Sequence, residues 1–300
     1  MKQFKKYVTE YYIALRVMSL SLAIAATTFG IIAAYRQGYI SSEKILYNGF
    51  LIIIITIAGI AAQAGANLVN DYFEGSFKYE NHSQKTIKFL GKERSYFDVF
   101  VFLSGIAALG LAGIIGLYLV YITDYIMLII GIVGLIGSYA YTGEPFVYKR
   151  KGLGVPLSFV LMGPLMLLGA YYPFAKQLDW YPILLGLPVS MFVPAMMLSN
   201  EMRDYKRDKR LVMGTLSVKL GSRLSLFIYD FLLFGAFILT GFYIVIGFYP
   251  IQAAIAFILI PTAIVAHKSV KNFHRLSIPN TNKIHLYYFI IVSIVLIIWY

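Results

Sequence analysis

The sequence predicts an all-α polytopic membrane protein, a bundle of nine transmembrane helices with its N-terminus in the cytoplasm. Of its 300 residues, 59% are hydrophobic and only 13% charged, and the mean hydropathy is +0.73, outside the range of soluble globular chains. The apolar residues fall in runs of roughly 18 to 25, a length that suits a bilayer-spanning helix and not the alternating ten-residue segments of a β-barrel. Short charged stretches separate the runs, and their basic residues alternate from one connection to the next. A disordered chain, a barrel and a secreted domain are therefore excluded. The chain has no cysteine and four scattered histidines without HxxxH or HExxH spacing, which removes disulfides, thiolate chemistry and a zinc site.

The first span, 17–35, follows a basic segment (Lys2, Lys5, Lys6, Arg16) and is read as retained, because its apolar run is long and no small-residue cleavage pattern follows it. The second, 46–70, ends in amides and acids. Spans three and four, 98–121 and 124–142, are joined by a short turn, and the fourth ends in tyrosines. The remaining runs are 153–174, 181–200, 222–247, 251–266 and 284–300. All but Arg36, Lys44 and Lys176 of the 26 Lys and Arg fall at the N-terminus or after even-numbered spans, which places those connections in the cytoplasm and the C-terminus outside. The net charge of +12 then serves orientation and contact with anionic membrane lipid, and calls for no nucleic acid. Gly65, Gly110, Gly113 and Gly131 are expected to pack helices against one another.

Only 14 Asp and Glu are present, and two groups stand at equivalent places, the cytoplasmic ends of spans two and six. In Gln63-Ala-Gly-Ala-Asn67-Leu-Val-Asn70-Asp71-Tyr-Phe-Glu74 the polar positions follow helical spacing and form one stripe. In Asn200-Glu-Met-Arg203-Asp204-Tyr-Lys-Arg207-Asp208, residues 200, 204 and 208 stack. Asn67/Asp71 and Asn200/Asp204 share an offset of four, a weak internal repeat that relates spans 1–4 to spans 5–8 within a single domain, 1–300. Carboxylates at a helix C-terminus meet the negative end of the macrodipole, an unfavourable placement worth roughly 0.3–1 kcal/mol each. A cation should compensate, and Mg²⁺ fits the oxygen ligands of both groups. Acidic sites at the mouth of an apolar bundle suit a substrate with a polyanionic head and a long apolar tail, such as a prenyl diphosphate, ionised at its allylic carbon.

At these residues the sequence resembles the UbiA superfamily of intramembrane prenyltransferases, over roughly residues 12–221. NLVNDYFE at 67–74 resembles the family's NxxNDxxD motif, with Glu74 in place of its second Asp, and LSNEMRDYKRDKRLVMGTLSVKLG at 198–221 resembles the second motif. YTGEPFVYKRKGLG at 141–154 and GPLMLLGAYY at 163–172 resemble the menaquinone-pathway branch, the 1,4-dihydroxy-2-naphthoate polyprenyltransferases. The resemblance implies a nine-helix fold, Mg²⁺ as cofactor, and transfer of a polyprenyl chain from its diphosphate to an aromatic acceptor with loss of carbon dioxide. It implies no obligate protein partner. The location expected is a prokaryotic cell membrane, with the site facing the cytoplasm. Departures from the pattern are Lys78 for a third acid, with Glu80 near the branch's position, Val155 after GLG, Val17 for an early Pro, and Val212-Met213-Gly214 for a basic stretch.

Asp71, Glu74, Asp204 and Asp208 are the expected metal ligands, Asp71 and Asp204 foremost, with Arg203 beside them in catalysis. Asn67, Asn70 and Asn200 are expected to ligate metal or hold a carboxylate. Arg203, Lys206, Arg16 and one of Lys149, Arg150 and Lys151 are candidates for diphosphate oxygens. The rings of Tyr139, Tyr141 and Tyr148 are placed to stabilise an allylic cation, or else form an interfacial aromatic belt. Glu144 lacks a local partner, which leaves a substrate-proton or a structural role open, and Asp230, an acid inside span seven, is either a functional residue or the partner of Arg223 or Lys219. Within the family 4-hydroxybenzoate, chlorophyll-type and glycerol-phosphate acceptors stay open. The rival from another class is an ion-coupled transporter, disfavoured because its site belongs near the midplane.

Overall fold

Apolar runs too long for a soluble core become helices because a bilayer leaves backbone groups no other partner. The computed structural model describes residues 2–74 and 86–299. Lys78 and Glu80 lie outside the described residues. The helices are α1 (Lys2–Leu15), α2 (Val17–Arg36), α3 (Ile45–Glu74), α4 (Tyr96–Ile122), α5 (Tyr125–Ala140), α6 (Gly154–Val160), α7 (Met166–Ala175), α8 (Tyr181–Ser190), α9 (Phe192–Arg210), α10 (Leu216–Leu220), α11 (Ser222–Val245), α12 (Ile260–Lys271) and α13 (Ser277–Ile298). A π turn at Leu161–Leu165, containing Pro164, joins α6 to α7, and a 3₁₀ stretch at Ile251–Leu259 leads into α12. Among the described residues eight helical stretches are long and apolar enough to cross a membrane. The fourth expected span is the shorter apolar helix Tyr125–Ala140.

Two elements went unexpected. The basic segment before the first span is itself a helix, α1, broken from α2 at Arg16, whose φ of 50° lies in the left-handed region. A short antiparallel hairpin, β1 (Thr86–Phe89) and β2 (Lys92–Ser95), turns at Leu90 and Gly91, both at positive φ, as a two-residue hairpin turn requires. It sits beside the C-terminal end of α3 and the start of α4: the Tyr72 hydroxyl donates to the Phe89 carbonyl at 2.9 Å, and Lys92 pairs with Glu144 at 2.5 Å. Glu144 therefore has its partner across the chain. Ser95 and Asp98 form a reciprocal capping box that starts α4.

The main core joins α2, α7, α8, α9, α11, α12 and α13 around Phe29, Leu167, Tyr171, Phe192, Leu233 and Tyr288. Its buried hydroxyls are satisfied between helices: Tyr229 with Thr281 at 2.8 Å and Tyr288 with Thr240 at 2.5 Å. Close helix approach is set by Gly30, where a Cβ would stand 2.4 Å from the Leu167 carbonyl oxygen, and by Gly65, where it would stand 2.6 Å from Leu109. Gly65 thus packs as expected. Gly110 and Gly131 do not: a Cβ on either would meet no atom within 4 Å, and on Gly113 only Leu135, at 3.5 Å. These glycines of α4 and α5 border space instead of a neighbour. Asp230 pairs with His267 of α12 at 2.6 Å, not with Arg223 or Lys219.

Candidate active site

The site begins at the last turn of α3. Glu74, largely buried, has its carboxylate held by two cations from distant parts of the chain. The Arg16 Nη2 lies 3.3 Å from Oε2, and the buried Lys149 ammonium donates to Oε1. With its amide turned to satisfy both neighbours, Asn70 donates to Glu74 at 2.8 Å and accepts from Arg16 at 2.9 Å. The compensating charge sought at this helix end therefore comes from tertiary neighbours, because the break at Arg16 and the 141–154 loop both fold back over the α3 terminus. Asn67 does something else. Its amide donates to the Leu15 carbonyl and the Ser19 hydroxyl, each at 2.9 Å, and so clasps the α1–α2 break.

Opposite stands α9. Arg203 grips Asp204 with two hydrogen bonds, Nε at 2.8 Å and Nη2 at 2.6 Å, and also donates to the Asn200 amide oxygen at 2.9 Å. Arg207 bridges Asp204 at 3.1 Å and Asp208 at 2.8 Å. Lys206 is not on this face. At 3.6 residues per turn it is rotated by roughly 100° from Arg207 and further from Asp208, and its ammonium lies 5.6 Å from the ring of Phe273. Arg207, and not Lys206, joins Arg203 on the cavity wall.

Between α3 and α9 lies a cavity of about 430 Å³ whose wall includes Arg16, Glu74, Lys149, Asn200, Arg203, Asp204, Arg207 and Asp208, together with Glu201. Asp71 is half-buried and not part of this wall. Three residues before Glu74, it is turned about 60° away from it along the helix. Among the described residues no group of three or more Asp, Glu, His or Cys converges to hold a metal ion by itself, so the expected quartet is not assembled as one cage. Glu74, Asp204, Asp208 and Asn200 nevertheless present oxygen donors to one cavity. That donor set suits Mg²⁺, which is held by one or two carboxylates with water and phosphate completing its shell.

Three further features complete the surroundings. The Tyr141 ring lies 5.5 Å from the Lys149 ammonium, and its hydroxyl points at Met197 Sδ, 3.7 Å away, which puts its ring beside the cavity. Tyr139 instead donates to the Glu144 carbonyl at 3.3 Å, and Tyr148 to the Gly137 carbonyl at 3.0 Å, so both fasten the loop. Glu201, buried and not singled out from the sequence, accepts from the Ser217 backbone N–H at 2.8 Å and ties α10 to α9. Its place inside the second motif was the signal available. Next to α10, Lys219 donates to the Lys151 carbonyl at 2.6 Å, and a Cβ on Gly214 would stand 2.0 Å from the Arg150 carbonyl oxygen. Gly214 thus belongs where the sequence departs from the family's basic stretch because the 148–151 backbone passes against it.

A sequence model of the UbiA prenyltransferase family matches residues 23–286. Curated relatives include "UbiA prenyltransferase domain-containing protein 1" of Rattus norvegicus, 25% identical over 237 residues that make up 78% of this chain and 67% of that one. Another is "1,4-dihydroxy-2-naphthoate octaprenyltransferase" of Mycobacterium leprae (strain TN), 25% identical over 60% of this chain and 61% of its own. The chain thus spans about two thirds of the length of these relatives. Among solved structures, a UbiA homolog from Archaeoglobus fulgidus bound to DMAPP and Mg²⁺ shares the fold, with a TM-score of 0.61 at 12% identity, over 96% of this chain and 99% of that one.

Proposed function

Because this chain belongs to the UbiA prenyltransferase family, we propose that it transfers a polyprenyl chain from its diphosphate to an aromatic acceptor, with Mg²⁺, at the cavity between α3 and α9. The observation that carries this reading is the charge of the wall. Arg16, Lys149, Arg203 and Arg207 face Glu74, Glu201, Asp204 and Asp208, so the lining is formally neutral and every cation in it is engaged by a carboxylate or an adjacent backbone. A diphosphate brings several negative charges into such a site. It is accommodated when the arginines and Lys149 turn to its oxygens and the released carboxylates take up divalent metal. Mg²⁺ bound there would neutralise the diphosphate and make it a better leaving group.

Arg203 and Arg207 offer forked donors to phosphate oxygens, and Lys149 a point charge. Asn70 holds Glu74 in place through the exchange. Asp71, one turn back on α3, would support metal binding from outside the cavity wall. As the allylic C–O bond breaks, the electron pair leaves with the diphosphate, and the face of Tyr141 stabilises the cation that the acceptor ring carbon attacks. The acceptor proposed is 1,4-dihydroxy-2-naphthoate, with carbon dioxide lost. Support comes from the 141–154 and 163–172 motifs and from the mycobacterial relative. The setting proposed is a prokaryotic membrane, with nine spans counting α5, one domain of two related halves, the N-terminus in the cytoplasm and the site facing it. Membrane lipid surrounds it, and no obligate protein partner is invoked.

The test is diphosphate release from an isoprenoid diphosphate by the purified chain. Release is expected to require Mg²⁺ and to fall by about 10²-fold or more in Asp204→Ala and Asp71→Ala. Full turnover in both variants would sink the assignment. Mass spectrometry of products from an acceptor panel decides among naphthoate, hydroxybenzoate and glycerol-phosphate acceptors.

A further inference from the structure

Asp230 and His267 take no part in the cavity between α3 and α9. They meet in the seam between α11 and α12, with Asp230 Oδ1 2.6 Å from His267 Nδ1, and their side chains stay 29% and 28% exposed. The pair is therefore no core contact. It lies on the outward surface of two membrane helices, among Phe227 and Phe231, 67% and 64% exposed, and Ile264, 44% exposed. Ionisable groups set among membrane helices are costly and are kept where they meet a partner or a polar surface.

Helical spacing shows what that surface is. Arg223, Phe227 and Asp230 follow i, i+4, i+7 on α11, and Ile264, His267 and Lys271 follow i, i+3, i+7 on α12, so each triplet shares one face. At 1.5 Å per residue, His267 stands about 6 Å inside Lys271, the last residue of α12. The seam thus passes from cations at the helix ends, through one polar couple, to the apolar Phe231 and Ile264 deeper in the bilayer. Arg223 and Lys271 are both exposed, and among the described residues no acid pairs with either, unlike the cations of the cavity wall. A second copy of the chain, docked here about a two-fold axis, would bring this patch against itself and set like charges together. An anionic amphiphile meets cations, couple and apolar strip in the right order.

We propose that the α11–α12 seam binds an anionic phospholipid of the surrounding membrane, with its phosphate at Arg223 and Lys271, its headgroup on His267 and its acyl chains along Phe231 and Ile264. Asp230 is a positioning residue: it holds Nδ1 and so turns the Nε2 edge of the imidazole to the lipid. A phosphatidylglycerol headgroup offers hydroxyl donors and phosphate acceptors, so it satisfies Nε2 with or without a proton. None of these residues lines the cavity between α3 and α9, and the proposal is independent of the prenyl-transfer reading.

The experiment places a photo-reactive benzoylphenylalanine at position 227 of the full chain, in nanodiscs of equal phosphatidylglycerol and phosphatidylcholine, and measures lipid adducts by mass spectrometry. The control position is 103, an exposed leucine of α4 at a similar distance from its helix start. The ratio of phosphatidylglycerol to phosphatidylcholine adducts is expected to be well above the control's at 227. It should fall by about five-fold for each cation removed in Arg223→Ala and Lys271→Ala, the effect of one basic residue at an anionic surface. The pair is removed together, His267→Leu with Asp230→Leu, because either change alone strands a partner, and the ratio should again drop toward the control's. Arg223→Ala and Lys271→Ala alter exposed side chains only, so they decide the matter if the double variant fails to fold. Equal ratios at 227 and 103, or a ratio at 227 that ignores both alanine variants, overturns the proposal. So does a chain-to-chain adduct from 227, which would give this face to a second copy.

Discussion

Arg16 combines a conformational cost with a charge on the wall of the candidate site. A non-glycine residue in the left-handed region costs about 1–2 kcal/mol, yet the break it makes between α1 and α2 turns its guanidinium onto Glu74 and Asn70. Arg16→Gly relieves the backbone and deletes the charge, so the two roles separate. Thermal stability in detergent is expected to hold or rise slightly, while kcat/KM for diphosphate release falls by roughly 10- to 100-fold through lost anion contact. Arg16→Ala keeps the strain and should lose both. A parallel loss of stability in Arg16→Gly and Arg16→Ala would mean that the Glu74 pair holds the fold instead of serving the site. This pairing was not legible in the sequence, because Arg16 and Glu74 are far apart along the chain and Lys149 further still. What helical spacing did disclose was the stripe on α3 itself, and applied strictly it also shows Asp71 at the stripe's edge and Lys206 off the α9 face. Sequence motifs rank residues by kind, whereas the angle around the helix decides which of them reach the cavity.

Elements were legible where composition dictates them and obscure where tertiary contact does. Most spans could be placed within a few residues, because hydropathy alone fixes a membrane helix. The second motif is a different matter: α9 continues to Arg210, well past the apolar run, since the acids and arginines of its last turns satisfy one another. The α1 helix and the hairpin carry too little apolar periodicity to announce themselves, and packing on α3 and α4 defines them. At the other end of the bundle Asp124 caps α5, accepting from the Ile126 N–H at 2.8 Å and from the Tyr172 hydroxyl at 2.6 Å. The Tyr172 hydrogen bond, joined by the backbone bonds, holds this carboxyl below the ordinary aspartate value. A carboxyl lowered on folding contributes stability that is present above its unfolded pKa and lost as pH falls through the lowered folded one. The thermal midpoint of the wild type should therefore decline on acidification below about pH 5. Asp124→Asn keeps an acceptor at the cap without a charge to titrate, so its acid decline should be shallower. Identical slopes for the two proteins would remove Asp124 from the acid response.

At the scale of the whole molecule, orientation decides whether the polar cavity draws on the same pool of water-soluble acceptor as the basic loops imply. All the cationic wall residues come from the N-terminal break, the 141–154 loop and the end of α9, which are the connections that basic charge assigns to the cytoplasm. In the proposed reading the site and the topology signal are the same residues read twice: Lys149, Arg203 and Arg207 face carboxylates on the cavity wall and carry the basic charge from which the orientation is proposed. That double use explains why a basic run could not be divided, from sequence, into orienting and functional members. The absence of native cysteine makes the consequence directly measurable, since any introduced thiol is the sole target of a maleimide. Ser42 and His274 are both exposed and lie in connections assigned to opposite faces. In intact cells a membrane-impermeant maleimide is expected to label Ser42→Cys and spare His274→Cys, and in inverted vesicles the pattern should reverse. Labelling of both from one side would break the nine-span topology, and reversal of the whole pattern would turn the cavity outward, away from any cytoplasmic supply of acceptor.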